Sequence, residues 1–178
     1  LNQQGNYVLG FCSYKNKDYA GAINNFQKSV EGKDSIAQNA WYHMADCYIK
    51  MGERLKAKNA FYSAYQIDFD KKITEDALFS FAKLSYELDF SPYNEAVKSL
   101  NKYLREYPQS PRREECYNLL INVYSTSKNY EQAIQSIESM QNIDPVLKYT
   151  YQKLIYFRGV ELFNNGDLDN AEKQFKKS

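Results

Sequence analysis

Five alanines, Ala22, Ala57, Ala96, Ala133 and Ala171, mark the chain at intervals of 35, 39, 37 and 38 residues, each in the same local frame. Four residues after each comes a large apolar side chain: Phe26, Phe61, Leu100, Ile137 and Phe175. Three residues before come Tyr19, Arg54, Tyr93, Tyr130 and Leu168, bulky and apolar in all but the second case. Positions i−3, i and i+4 share one face of a helix, so the frame sets a small residue between two large ones and lets a neighbouring helix come close. A period of this length means stacked copies of one supersecondary unit, since a single copy cannot bury its own apolar face.

A second helical pattern precedes each alanine. Trp41, Met44, Ala45 and Tyr48 follow a 3-1-3 spacing, and Tyr117, Leu120, Ile121 and Tyr124 repeat it. The third unit reads Phe79, Ala82, Lys83, Tyr86, while the first and fifth carry glycine versions at Leu9-Gly10 and Arg158-Gly159. From the tyrosine to the alanine is nine residues in units two and four and ten in unit three, where Asp89-Phe90-Ser91-Pro92 adds one. Each unit is therefore a helix, a tight turn and a second helix. The predicted helices are 3–15 and 18–31, 35–51 and 53–67, 74–89 and 92–107, 111–127 and 130–142, and 145–164 and 167–177. Gly52 and Gly166 fall in the turns, where a left-handed helix end favours glycine. Asn129 with Gln132 suggests a capping box, and Ser91-Pro92, Ser110-Pro111 and Asp144-Pro145 each set a capping side chain before a proline suited to the first helical position. Pro108 closes unit three. No segment carries a strand period.

The residues match W-x2-L-G-x2-Y, A-x3-F and a closing proline. Unit two supplies Trp41, Met44, Ala45, Tyr48, Gly52, Ala57, Phe61 and Ala64; unit four supplies Tyr117, Leu120, Ile121, Tyr124, Tyr130, Ala133, Ile137 and Pro145. The chain thus resembles the tetratricopeptide-repeat family over its whole length, in units of about 1–33, 34–70, 71–109, 110–144 and 145–178. The resemblance implies an all-α fold, a right-handed superhelix (α-solenoid) of about five hairpins, read as a single array and a fragment of a longer protein. It also implies a scaffold that binds a peptide or partner helix in a concave groove lined by the first helices. The surplus over the family's shorter period falls at the junctions 67–74 and 107–113, where helices are expected to be longer. The string Tyr103-Leu-Arg-Glu-Tyr-Pro-Gln-Ser-Pro111 is similar to junctions in bacterial envelope members of the family, of the Tol–Pal coordinator and outer-membrane assembly lipoprotein type. The Asn-, Lys- and Tyr-rich composition is similar to members from Bacteroides-like bacteria. That likeness points to a periplasmic or outer-membrane-associated location.

The family's groove positions map onto Gln4, Tyr7, Val8, Phe11 and Tyr14; Asn39, Tyr42, His43, Asp46 and Lys50; Ala77, Ser80, Phe81 and Leu84; Glu115, Asn118, Leu119 and Asn122; and Lys153, Tyr156, Phe157, Val160 and Phe163. Of these, Tyr7, Phe11, Tyr14, Tyr42, His43, Asp46, Phe81, Asn118, Asn122, Tyr156 and Phe157 are the expected partner-binding set. The paired basic residues by which some members grip a terminal carboxylate are absent from it, so the groove reads as aromatic and neutral, suited to a partner's apolar anchors.

Composition narrows the alternatives. Lys+Arg 23 against Asp+Glu 22 leaves a net charge of +1, which lacks the surplus that nucleic-acid binding draws on. Mean hydropathy is −0.70, and no apolar run nears the roughly 18 residues needed to cross a bilayer. Three scattered cysteines (Cys12, Cys47, Cys116) and one histidine give no metal-ligand spacing, so no metal or cofactor is expected. No nucleophile, zinc or phosphate-loop motif is present, so no enzyme is expected. A glycan- or RNA-binding repeat, or a sensor or accessory domain of a larger envelope or regulatory protein, are the competing readings. The last unit stops without a polar capping helix, which predicts apolar surface around Phe175 and pairing of two copies through that end.

Overall fold

The computed structural model describes residues 1–88, 95–139, 143 and 145–178, the side chains of 146 and 147 excepted. Among these residues there are ten α-helices and no strand: α1 (Gln3–Lys15), α2 (Tyr19–Gln27), α3 (Ser35–Lys50), α4 (Arg54–Ile67), α5 (Lys71–Leu88), α6 (Glu95–Glu106), α7 (Arg113–Thr126), α8 (Tyr130–Glu138), α9 (Pro145–Asn164) and α10 (Leu168–Lys177). They fall into two compact units, Leu1–Tyr107 and Pro108–Ser178. In the first, α1/α2, α3/α4 and α5/α6 are hairpins, α2 packs on α3 and α4 on α5, and α3 also touches α1 and α5. In the second, α7/α8 and α9/α10 are hairpins and α8 packs on α9.

The repeat alanines stand where the frame puts them. Ala22, Ala57, Ala96 and Ala133 are wholly buried and Ala171 nearly so, with Phe26, Leu100 and Ile137 equally buried four residues on. The facing position on the first helix adjusts to the residue it meets. A Cβ on Gly10 would lie 2.6 Å from the Phe26 ring, and one on Gly159 would lie 2.7 Å from the Phe175 ring. At the same place in the frame Ala45 and Ala82 answer Phe61 and Leu100, and Ile121 answers Ile137.

The hairpin turns share one backbone device. Counting five residues back from the alanine, Gly52 and Gly166 have φ of 77° and 82°, and Lys17 and Lys128 have φ of 62° and 58°. Two of four described turns thus put a lysine in the left-handed region, which costs a side chain about 1 kcal/mol or more. Helix starts are capped by Asn2, Asp18, Asp34 and Asp167, whose side chains accept from the backbone N–H of Gly5, Gly21, Ala37 and Asn170.

Several expectations need correction. Helix α2 ends at Gln27 rather than 31: the N–H groups of Lys28 and Ser29 bond only three residues back, to the carbonyls of Asn25 and Phe26, and the amide of Gln3 holds the carbonyls of Ser29 (3.1 Å) and Glu31 (2.9 Å) beyond the helix. Helix α5 starts at Lys71 rather than 74, because Asp70 caps it by accepting from the N–H of Lys72 (2.8 Å). The Asn129–Gln132 capping box does not form: the N–H of Asn129 donates to the Tyr124 carbonyl (2.7 Å), and the buried Oε1 of Gln132 has no hydrogen-bond partner. Pro111 lies in the turn ahead of α7 rather than at its first position, whereas Pro145 does open α9. The Ser91-Pro92 pair and Asp144 lie outside the described residues.

Unit three is also out of register by one. Ala82 and Phe81 are buried and Lys83 is not, so Ala82 occupies the small-residue position expected at Lys83. Fourteen residues then separate it from Ala96, against twelve from Ala45 to Ala57, so the inserted length is two residues rather than one.

A junction device went unseen in the sequence. Gln38 is fully buried; its amide donates to Thr74 Oγ1 (3.0 Å) and the Ala64 carbonyl (3.3 Å), and its Oε1 accepts from the N–H of Asp70 (2.7 Å). Gln38 lies nineteen residues before Ala57, and Gln3, with its bonds to the preceding junction, lies nineteen before Ala22. In each case one glutamine on a first helix ties the end of its own second helix to the next repeat.

Candidate partner-binding face

The first helices α1 and α3 meet in an aromatic cluster centred on His43. Its ring lies 5.4 Å from Phe11, 5.5 Å from Tyr14, 5.7 Å from Phe26, 6.0 Å from Tyr42 and 6.3 Å from Tyr7, stacked on Phe26. Helical spacing explains the gathering: Tyr7, Phe11 and Tyr14 follow an i, i+4, i+7 row on α1, opposite the Tyr42, His43 and Asp46 stretch of α3. Phe26 comes from α2 and fills the space left by Gly10, so the cluster floor is the hairpin crossing itself.

Polar groups fix the rim. The Tyr14 hydroxyl donates to Asp46 Oδ2 (2.7 Å), and the Tyr42 hydroxyl donates to Asp76 on α5. The Lys15 ammonium sits 5.0 Å over the Phe11 ring. The hydrogen bond to Asp46, reinforced by burial and by that carboxylate's charge, pushes the Tyr14 phenol up to about 12. Burial lowers the pKa of His43, Lys15 adds to this, and Asp46 opposes it, so the imidazole is neutral at pH 7. An uncharged ring among five aromatic rings is an apolar surface with a polar tip, suited to contact rather than proton transfer.

Tyr7, Phe11, Tyr14, Tyr42, His43 and Asp46 are all partly exposed and come together in the first unit. Phe81 does not join them. It is 7% exposed and its ring lies 4.9 Å from Tyr62 on α4, so it belongs to the other side of α5. Ala77 and Leu84, placed in the groove by the same one-residue slip, are buried as well. Asp76 is absent from the expected set; it stands 37 residues after Asn39, at the same place in the frame of the next repeat.

The remaining residues lie in the second unit. Asn118 and Asn122 are exposed on α7. Tyr156 and Phe157 on α9 are 51% and 44% exposed; Tyr156 lies 5.8 Å from Phe175, and Phe157 stacks on Tyr130 at 5.7 Å. Phe163, Leu168, Ala171 and Phe175 line an apolar hollow of about 530 Å³. Phe175 itself is only partly exposed, and most of the open apolar surface there comes from Phe163 and Leu168.

Two of the three thiols are quiet. Cys47 and Cys116 are buried, and burial pushes them up to about 11 and about 12, far from thiolate at neutral pH. Among the described residues no group of three or more His, Cys, Asp or Glu could hold a metal ion, and no helix is long and apolar enough to cross a membrane.

Two family models described as tetratricopeptide repeat match the chain, over residues 38–71 and 76–110. No curated protein matches it by sequence. Among solved structures it is similar to the MamA protein, with 17% identity, 98% of this chain and 88% of that one covered, and a TM-score of 0.58. A second MamA structure gives 18% identity, 95% and 91% coverage and a TM-score of 0.55. BtubC (BKLC) from P. vanneervenii gives 16% identity, 98% and 77% coverage and a TM-score of 0.52. At such identities the likeness is one of fold, an all-α succession of helix hairpins. Residues 38–71 and 76–110 thus match tetratricopeptide-repeat models, and the in-phase alanine frame and helix hairpins extend the same pattern along the chain.

Proposed function

We propose that the chain is a protein-interaction scaffold whose first unit grips an apolar segment of a partner on the aromatic face of α1 and α3. Tetratricopeptide-repeat proteins are in general non-enzymatic interaction scaffolds. The observation that carries the finer reading is the cluster of Tyr7, Phe11, Tyr14, Tyr42 and His43, kept partly exposed on adjacent first helices while the Tyr14 and Tyr42 hydroxyls are tied to Asp46 and Asp76. Rings held rigid before contact lose little entropy on binding, and aromatic anchors commonly contribute more than about 1 kcal/mol each. Both rim carboxylates already serve as acceptors within the unit, so charge adds little and binding should depend weakly on salt.

Peptides selected by phage display on the purified chain provide the test. Phe11→Ala with Tyr14→Ala should weaken a selected apolar peptide about tenfold, or about 1.4 kcal/mol, with the melting temperature near wild type. Unchanged binding by a folded double variant would remove the cluster from the interface. Homotypic pairing is a subsidiary part of the reading, supported by the apolar hollow of Phe163, Leu168, Ala171 and Phe175. A sedimentation coefficient that rises with concentration and reverts in Phe163→Glu is the expected result there.

A further inference from the structure

The seam between the second helices α4 and α6 holds a hollow of about 480 Å³, in the size range of ligand sites. Asn59, Tyr62 and Tyr65 of α4 form one wall, Lys98 and Lys102 of α6 stand along the other, and Phe81 of α5 lies at its base. Tyr62 is 46% exposed. The Lys102 ammonium rests 4.7 Å over the Tyr65 ring, and its nearest carboxylate is Glu106 on its own helix, at 3.8 Å. Lys98 makes no hydrogen bond or ion pair among the described residues. Glu95, at the end of the hollow, is engaged by Lys58 at 2.6 Å.

The second unit has the same seam, between α8 and α10, and fills it differently. Six residues after the repeat alanine stands Lys102 in one and Lys177 in the other; five after it stands Tyr62 in one and Glu138 in the other. Just before the small residue of the first helix stands Phe81 in one and Arg158 in the other. In the second unit Lys177 donates to Glu138 (2.7 Å) and Arg158 to Glu131 (3.0 Å), so charges on the walls satisfy each other across the seam. In the first unit the cationic wall is kept and the anionic one is replaced by rings.

We propose that the α4/α6 seam docks an acidic partner peptide, seating an aromatic or aliphatic side chain against Tyr62 and Phe81 and a neighbouring carboxylate between Lys98 and Lys102. That carboxylate takes the place Glu138 fills in the second unit. The site is separate from the α1/α3 face and stands without it, and its signature is opposite, since here charge and salt matter.

Amide chemical-shift titrations with two tetrapeptides, N-acetyl-Phe-Glu-Leu-Glu-amide and its Gln counterpart, test the proposal. The Glu peptide should shift amides in 59–66, 78–82 and 98–102, bind about fivefold or more tighter than the Gln peptide, and lose that advantage as salt rises toward about 0.5 M. Lys98→Gln with Lys102→Gln should bring the two peptides level. Tyr62→Glu, which copies the second unit's wall, should abolish binding of the Glu peptide. Should either variant fail to fold by circular dichroism, the salt titration of the unaltered chain and a Lys98→Arg, Lys102→Arg variant that keeps the preference decide instead. Equal affinity for both peptides, no shifts up to millimolar concentration, or shifts confined to α1 and α3 would each overturn the seam proposal. Only the last of these would favour the aromatic face.

Discussion

The hairpins α1/α2 and α7/α8 solve one crossing with opposite materials. In the first, Gly10 gives up its side chain and Phe26 fills the space against the bare backbone; in the other, Ile121 and Ile137 share it between them. Ala45 with Phe61 and Ala82 with Leu100 lie between these extremes. What the frame keeps is a division of the crossing between its two sides: the barest backbone meets a full ring, and a branched aliphatic meets another and no ring. Residue identity is free as long as its partner compensates, as close packing requires.

The largest test of that comparison is to graft one solution onto half of the other. Gly10→Ile should overpack the Phe26 ring and destabilise the chain by about 3 kcal/mol, the upper end of such effects, measured by urea unfolding. Adding Phe26→Ile should recover a good part of the loss. A double variant no more stable than the single one would mean that the two sides of the crossing do not compensate for each other. Next in size, Ala57→Leu, Ala96→Leu and Ala133→Leu each add bulk with no compensating partner and should cost about 1–3 kcal/mol, and neutrality at all three sites would contradict the frame. The turns offer a smaller effect of opposite sign. Lys17→Gly and Lys128→Gly relieve a left-handed backbone and should raise stability by up to about 1 kcal/mol, less whatever the more flexible glycine costs in the unfolded chain. Gly52→Ala, in the same turn position, should do the reverse.

The smallest effect separates the units by pH. His43 stacks on Phe26, and its pKa is lowered in the folded chain, so between that lowered value and about 6.5 the unfolded chain binds more protons. Stability should therefore be full above about pH 6.5 and fall as pH drops below it, and His43→Phe should flatten that part of the curve. Hydrogen exchange should show the loss in α1–α3 and spare α7–α10, which hold no histidine. Equal losses in both units would trace the effect to carboxylates instead.

Much of the fold was legible because the frame repeats. Five alanines in phase specify ten helices better than any one of them specifies two, and the described helix ends lie within a few residues of expectation. The errors have physical causes. The segment after α2 is held by an amide 26 residues away in sequence, which no local pattern reveals. The slip in unit three came from fitting Phe79 to the large position of the motif, when burial favours Leu78, Phe81 and Ala82. With the register one residue off, Phe81 falls on the groove side of α5 instead of in the α4/α6 seam. The gathering of Tyr7, Phe11, Tyr14, Tyr42 and His43 is readable from helical rows, but the hydroxyl partners of Tyr14 and Tyr42 are not, since Asp46 and Asp76 lie 32 and 34 residues away from them.

His43 is the lone imidazole of the chain, and five aromatic rings surround it within 6.3 Å. Its carbon-bound ring protons therefore resonate with no other histidine to overlap them, displaced by the ring currents of its neighbours. Any molecule that settles on this face, and any shear between α1 and α3, must change that summed field. One pair of signals in a one-dimensional spectrum would then report occupancy, protonation and helix packing together, with no label added to the protein.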